Sequence, residues 1–310
     1  MHLGDATVLV TGGTGFLGSH VCRALESHGV DVVAPGREVC DLRDRDDVDG
    51  LLAKVSPDAV IHLAARVGGI GANAASPGAF FYENALMGIQ LLEAARVAEI
   101  PKVVIAGTVC SYPKFAPIPF REEDLWTGYP DETNAPYGLA KKMLLVQAAA
   151  YRRQYGSNFV TLIPANLYGP GDNFDPSSSH VIASLLRRFF HARERGDESV
   201  TVWGDGSASR EFLYVEDCAA AFCLALMHYD QDEPVNLGTG EETTIRDLVE
   251  LVKRATGYEG RIEWDTTKPN GQPRRSLATD RAEKEFGWRA TTPLAAGIDR
   301  TAAWWCRNRS

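Results

Sequence analysis

Tyr137 and Lys141 stand four residues apart in Asn134-Ala135-Pro136-Tyr137-Gly138-Leu139-Ala140-Lys141-Lys142, where the pattern predicts a helix over residues 137–155. That spacing puts a phenol and an ammonium on one helix face. A phenol with a pKa of about 10 is a poor acid or base at neutral pH, and a neighbouring ammonium lowers that value by favouring the phenolate. Lys141 is also placed to hydrogen-bond a nicotinamide ribose. By themselves the two residues also fit an ordinary amphipathic helix, so their chemistry depends on a cofactor site elsewhere in the chain.

Such a site is written near the start. Thr7-Val8-Leu9-Val10 is a short β-branched run, residues 16–28 follow with a helical pattern, and between them lies Gly12-Gly13-Thr14-Gly15-Phe16-Leu17-Gly18. Glycine permits a tight turn and close approach to a pyrophosphate, while the helix start aims N–H groups and a positive dipole end at the anion. The second predicted strand, residues 31–34, ends in Ala34-Pro35-Gly36-Arg37. An acid at this tip would hold a ribose 2′-hydroxyl and repel a 2′-phosphate. With no acid there and with Arg37 present, the tip favours NADP(H), although Glu38 lies beside it, and Asp41-Leu42 are placed to meet the adenine.

Further strands are predicted at residues 59–63, 103–106 and 159–163, separated by helical stretches over 79–98 and 137–155. Strands alternating with helices predict an α/β fold built on a parallel sheet covered on both faces. In the second half, residues 181–195 and 245–256 read as helices and 200–203 and 235–237 as strands. A Pro/Gly/Asn-rich stretch over 268–275 reads as an ordered loop or lid. The expected architecture is a Rossmann-like doubly wound parallel sheet over residues 1–165 with returning pieces near 211–240. A smaller, discontinuous α/β substrate domain follows from 166–210 and about 241–310, with the substrate between the two.

Composition removes other classes. The 310 residues are 45% apolar, which supports a sizeable core and excludes a disordered chain. Basic residues number 32 against 41 acidic, a net charge of −9 that argues against a nucleic-acid backbone as partner. No run of about 18 uncharged apolar residues is present, and Asp5 sits where a signal peptide needs a basic region, so no membrane partner and a cytoplasmic location are expected. Six scattered cysteines without a CxxC pair or zinc spacing read as reduced thiols, with no metal site.

Glycine loop, tyrosine and lysine together resemble the extended short-chain dehydrogenase/reductase family. So do Asn166-Leu167-Tyr168-Gly169-Pro170, Arg210-Glu211-Phe212-Leu213-Tyr214-Val215-Glu216-Asp217 and Asn236-Leu237-Gly238-Thr239-Gly240, which are similar to segments of nucleotide-sugar epimerases and reductases. Val67-Gly68-Gly69-Ile70, Cys110-Ser111-Tyr112-Pro113-Lys114, Gly169-Pro170-Gly171-Asp172-Asn173-Phe174 and Ser179-His180-Val181-Ile182 narrow the likeness to the GDP-L-fucose synthase group. That group carries out 3,5-epimerisation and 4-reduction of GDP-4-keto-6-deoxy-mannose. The resemblance implies Thr108 as the catalytic hydroxyl, Cys110 as the epimerisation base and His180 as the acid on the opposite face. It also implies Leu63, Ala64, Ala65, Pro164, Asn166, Leu167 and His180 beside the cofactor. Arg187, Trp203 and Arg210 would hold the nucleotide diphosphate, with Asn166 near the sugar and Arg188 and Arg275 as substitutes.

Taken singly, Cys110 also fits a small buried hydrophobe, and His180 a helix-start residue beside Ser177, Ser178 and Ser179. The chain departs from that group in having Gly12-Gly13-Thr14-Gly15 where Gly-His-Arg-Gly is usual, and Thr108 for serine. Threonine preserves the hydroxyl. The resemblance further implies a homodimer formed through the helices over 79–98 and 137–155. Three other functions use many of the same residues. An NAD-retaining 4-epimerase acting on a UDP-sugar, or a simple 4-reductase on another nucleotide sugar, needs Tyr137 and Lys141 without the Cys110 and His180 pair; a non-catalytic dinucleotide sensor needs only the glycine cradle.

Overall fold

The computed structural model describes residues 4, 6–176, 178–268 and 272–309, the side chains of Ile70 and Ala74 excepted. Ser177 and residues 269–271 of the expected loop over 268–275 lie outside the described residues.

The first half runs β1 (Thr7–Thr11), α1 (Phe16–Glu26), β2 (Asp31–Val33), α2 (Arg45–Val55), β3 (Ala59–His62), α3 (Ile70–Ala75), α4 (Pro77–Val97), β4 (Val103–Ala106), α5 (Ala135–Tyr155) and β5 (Phe159–Pro164). The second half runs β6 (Asn166–Tyr168), α6 (Val181–Arg195), β7 (Ser199–Trp203), β8 (Ser209–Arg210), β9 (Phe212–Tyr214), α7 (Val215–His228) and β10 (Val235–Leu237). It finishes with β11 (Thr243–Thr244), α8 (Ile245–Thr256), β12 (Arg261–Asp265), α9 (Asp280–Phe286) and α10 (Leu294–Asn308). Predicted element ends shift by one or two residues because caps decide them: Gly156 in the left-handed region stops α5, and Gly15 precedes α1.

Six strands form one parallel sheet in the order β10-β5-β4-β3-β1-β2, the Rossmann-like α/β arrangement. β3 and β4 are buried at every position, which explains their unbroken apolar runs. The period of two in β1 divides two cores. Val8 and Val10 pack with Val21 and Leu25 of α1 and Phe222 and Leu226 of α7 on one face. Leu9 packs on the other with Leu52 of α2, Leu91 and Leu92 of α4 and Leu144 of α5. A third core joins Leu186, Phe189 and Phe190 of α6 to Leu248, Val249 and Val252 of α8 and Ile298 of α10.

The chain reverses direction across the sheet at β1, whose neighbours are β2 on one side and β3 on the other. In open α/β sheets a ligand crevice opens at this switch point, beyond the carboxyl ends of the strands. Those ends lead to Gly12 from β1, Leu63 from β3, Gly107 from β4 and Ala165 from β5.

Candidate active site

Gly12 leaves β1 with φ of 75°, a conformation costly for other residues, and a Cβ there would meet the Ala64 amide nitrogen at 2.6 Å. The turn after β1 therefore lies directly on Leu63-Ala64-Ala65, and the Leu63 N–H donates to the Thr11 carbonyl at 3.0 Å. Gly15 caps α1 without a side-chain hydrogen bond, which leaves first-turn N–H groups at Phe16 and Leu17 for an outside acceptor. An exposed Thr14 borders the same turn. This cradle fits a dinucleotide pyrophosphate on its own geometry.

The β2 tip shows what surrounds Arg37. Its exposed guanidinium reaches Asp41 at 3.7 Å, but Asp41 is engaged by Arg43, which donates to it at 2.9 Å and 2.6 Å. The hydrogen bonds from Arg43 hold the Asp41 pKa far below the usual carboxylate range. Leu42 packs against the core with Leu9 and Cys40, in the cluster that Ala64 also joins.

At the end of β4, Thr108 caps the short 3-10 turn Val109–Ser111 by accepting the Cys110 N–H at 3.2 Å. α5 is pressed against this turn: a Cβ on Gly138 would meet the Cys110 carbonyl oxygen at 2.2 Å, and Ser111 Oγ donates to the Gly138 carbonyl at 2.9 Å. Only glycine allows that approach, and it brings the preceding residue, Tyr137, to the hydroxyl of Thr108 and near the sulfur of Cys110. The phenol pKa corrects an expectation. Burial pushes it up and the Cys110 sulfur adds to the rise, while the Thr108 hydrogen bond opposes them; Lys141 is not among the influences. Desolvation outweighs the spacing argument, so Tyr137 stands as a neutral proton donor.

Lys141 is buried, and desolvation lowers its pKa to about 8. It lies near His62, whose imidazole is kept neutral by burial first and by Lys141 second. The Nδ1 of His62 hydrogen-bonds Thr11 Oγ1 at 2.8 Å, and its Nε2 is buried without a partner.

His180 is the residue before α6 and caps it with its backbone alone. Its surface is accessible, and desolvation by the surrounding protein lowers its pKa. Among the described residues no hydrogen bond joins it to Cys110 or Tyr137.

The residues expected around the diphosphate fall into two groups. Arg187 and Arg188 line one hollow with His191 and Thr201; Arg188 is tied to the Thr201 carbonyl, and Arg187 Nε is buried without a partner. Trp203, 67% exposed at the end of β7, faces Lys268 at 5.7 Å. Arg210 and Arg275 form the second group beside Cys110. Burial first, then Arg275, lowers the Arg210 pKa to about 10, while Asp131 raises it. Arg275 Nη1 points at Cys110 Sγ, 3.7 Å away. Of the residues expected along the cofactor, Asn166 donates to the Glu211 carbonyl at 2.9 Å, Pro164 ends β5 and Leu167 packs on the first core.

Residues 8–238 match the Epimerase family, described as the NAD dependent epimerase/dehydratase family. The chain belongs to that family. Among its relatives, the GDP-L-fucose synthase of Sinorhizobium fredii is 40% identical over 294 residues, covering 95% of this chain and 93% of the relative. A crystal structure of a GDP-L-fucose synthetase from Naegleria fowleri bound to NADP has a TM-score of 0.88 at 29% identity, covering 98% of this chain and 95% of that one. A GDP-6-OMe-4-keto-L-xylo-heptose reductase from C. jejuni has a TM-score of 0.92 at 25% identity, over 98% and 99%.

As a family member the chain takes a nicotinamide dinucleotide. Two residues that the sequence analysis did not single out make contacts near these strand ends: Arg43 on Asp41, and His62 on Thr11. Arg43 was hidden because it follows Asp41 in an acidic stretch and acts through folding, not position in a motif. His62 carried a signal: a histidine inside an otherwise apolar strand ending at the cofactor crevice.

Proposed function

We propose that this chain carries out NADPH-dependent 3,5-epimerisation and 4-reduction of GDP-4-keto-6-deoxy-D-mannose to GDP-L-fucose. One observation carries the proposal: Thr108, Cys110 and Tyr137 converge on one point beside the cradle, and a plain redox enzyme has no use for the thiol. The relatives named GDP-L-fucose synthase support the sugar and the base.

A ketone at C4 acidifies the hydrogens on C3 and C5, because the enolate carries the charge on the C4 oxygen. Thr108 and Tyr137 would donate hydrogen bonds to that oxygen. At each centre in turn Cys110 would remove the proton and His180 would deliver one from the opposite face, the two groups returning to their starting protonation by exchange with solvent between the inversions. Since burial keeps His180 neutral, its acid role requires a proton taken up with the anionic diphosphate, which favours imidazolium. When bound, NADPH would supply the hydride for C4. Neutral Tyr137 then protonates the C4 oxygen, and Lys141, charged at neutral pH, orients the ribose.

Gly12, Thr14, Gly15, Phe16 and Leu17 would hold the pyrophosphate. Arg37 and Arg43 would face the 2′-phosphate, which favours NADP over NAD. We take residues 1–165 with about 211–240 as the cofactor unit and 166–210 with about 241–310 as the sugar unit, working in the cytoplasm. A homodimer through α4 and α5 is supported by the exposed Phe81, Tyr82, Ile89, Val146 and Tyr155 on those helices. No helix among the described residues is long and apolar enough to cross a membrane.

Exchange in D2O tests the proposal. The parent should wash deuterium into C3 and C5 of the 4-keto sugar, and Cys110→Ser should slow this by about 10²-fold or more while leaving cofactor binding intact. Exchange at the parent rate in Cys110→Ser would refute the epimerase assignment.

A further inference from the structure

We propose that Arg275 is a positioning residue for the epimerisation: its guanidinium, fixed over the Cys110 sulfur, keeps that sulfur in the anionic, proton-accepting form. The inference deepens the function proposed above and rests on Cys110 being the base. The sequence offers Arg275 as a substitute ligand for the substrate diphosphate, whereas the fold turns one of its N–H groups onto the sulfur, with Nη1 3.7 Å from Sγ.

The direction of that donor is held at both levels of the chain. In the side chain, Nε and Nη2 of Arg275 donate to Gln272 Oε1 at 3.2 Å and 2.8 Å, and Gln272 Nε2 donates to the Lys114 carbonyl at 3.0 Å. Along the backbone, Glu211 N–H donates to the Arg275 carbonyl at 3.2 Å and Phe120 N–H to the Ser276 carbonyl at 2.8 Å. The Leu277 N–H then donates to the buried Glu211 carboxylate at 2.6 Å. A guanidinium pinned in this way pre-organises its charge before substrate arrives.

Charge balance points the same way. Arg275 and Arg210 repel each other, and Asp131 attracts both. Asp131 is shared between these two guanidiniums and Lys114, which leaves cationic charge on the Arg275 side of Cys110. In the reaction the thiolate takes the C3 or C5 proton: the C–H bond breaks, S–H forms and the electron pair enters the enolate. Arg275 keeps its own protons throughout.

Alkylation reads the thiolate without any sugar. Cys306 is exposed, so a Cys306→Ser background removes the most accessible competitor, and peptide mass spectrometry follows carbamidomethylation by iodoacetamide at Cys110 separately from the half-buried Cys22. At pH 7 the rate at Cys110 should fall about three- to tenfold in Arg275→Gln and recover in Arg275→Lys. The kcat for deuterium exchange should fall more than KM rises. If Arg275→Gln alkylates at the parent rate and its defect lies in KM alone, Arg275 is a phosphate ligand and the proposal is overturned.

The unsubstituted chain gives an independent reading should Arg275→Gln fail to fold. Anionic iodoacetate should gain on neutral iodoacetamide at Cys110 by about threefold over the same ratio measured on glutathione. Equal ratios overturn the proposal. Because these measurements need no substrate, a reactive Cys110 in a protein that fails to turn over the GDP-sugar would disprove the function and leave the Arg275 contact standing.

Discussion

At Tyr137 burial, and not the spacing to Lys141, sets the pKa of the phenol. The i,i+4 lysine was legible from residue types, but the pKa of the phenol follows from desolvation and a Thr108 hydrogen bond that only the folded chain assembles. Tyr137→Phe should lower the rate of reduction by about 10²- to 10⁴-fold with NADPH affinity unchanged, as read by single-turnover absorbance and fluorescence titration. A variant reducing at the parent rate would assign the proton to another group. Lys141 carries a stability signature of opposite sign to a salt bridge. The unfolded chain keeps that ammonium charged up to its ordinary 10.5, the folded chain only up to about 8, so the folded state binds fewer protons between the two and gains stability as pH rises. Lys141→Met should therefore be inactive yet more stable than the parent at pH 7 by roughly 1–3 kcal/mol in urea unfolding, with the gap closing between pH 8 and 10.5. A gap that does not change with pH would contradict the buried ammonium.

Elements explain why some of the site was readable and some was not. The parallel strands announce themselves as apolar runs, and α6 and α8 matched their periodic patterns because each buries one face against the other. α7 carries Val215, Cys218, Ala219, Ala221, Phe222, Cys223, Ala225 and Leu226 into the core, so it lacks the polar face that periodicity needs. α2 fails for the opposite reason: three aspartates and a glycine dilute its apolar stripe, and the Asp44 cap, accepting the Asp46 N–H at 2.9 Å, sets its start. The contact of α5 with the Val109–Ser111 turn depends on Gly138, a residue whose meaning appears only when the two elements meet. Gly138→Ala should cost about 1–3 kcal/mol in stability and slow reduction and exchange together, since it pushes Tyr137 away from Thr108 and Cys110. Parent-like melting and kinetics in that variant would mean that the close approach is not what sets the site.

Across the whole molecule, the doubly wound sheet and the cradle were legible because local patterns agree with the global fold. The second half was less so, since its short strands pair over long distances: β9 lies beside β6, and β12 beside β7. Segment 277–288 returns to the first core through Leu277, Ala282, Phe286 and Trp288, which brings the adjoining Arg275 back to the Val109–Ser111 turn. Thr108, Cys110, Tyr137 and Arg275 thus meet at one turn although they come from distant parts of the chain. The most direct measurement of this account is turnover of GDP-4-keto-6-deoxy-D-mannose with NADPH, followed by loss of reduced-nicotinamide absorbance and by NMR of the sugar. The account predicts one NADPH oxidised per sugar and GDP-L-fucose as the product, inverted at C3 and C5. A reduced sugar with the starting configuration at both carbons, or no NADPH consumed, would contradict it.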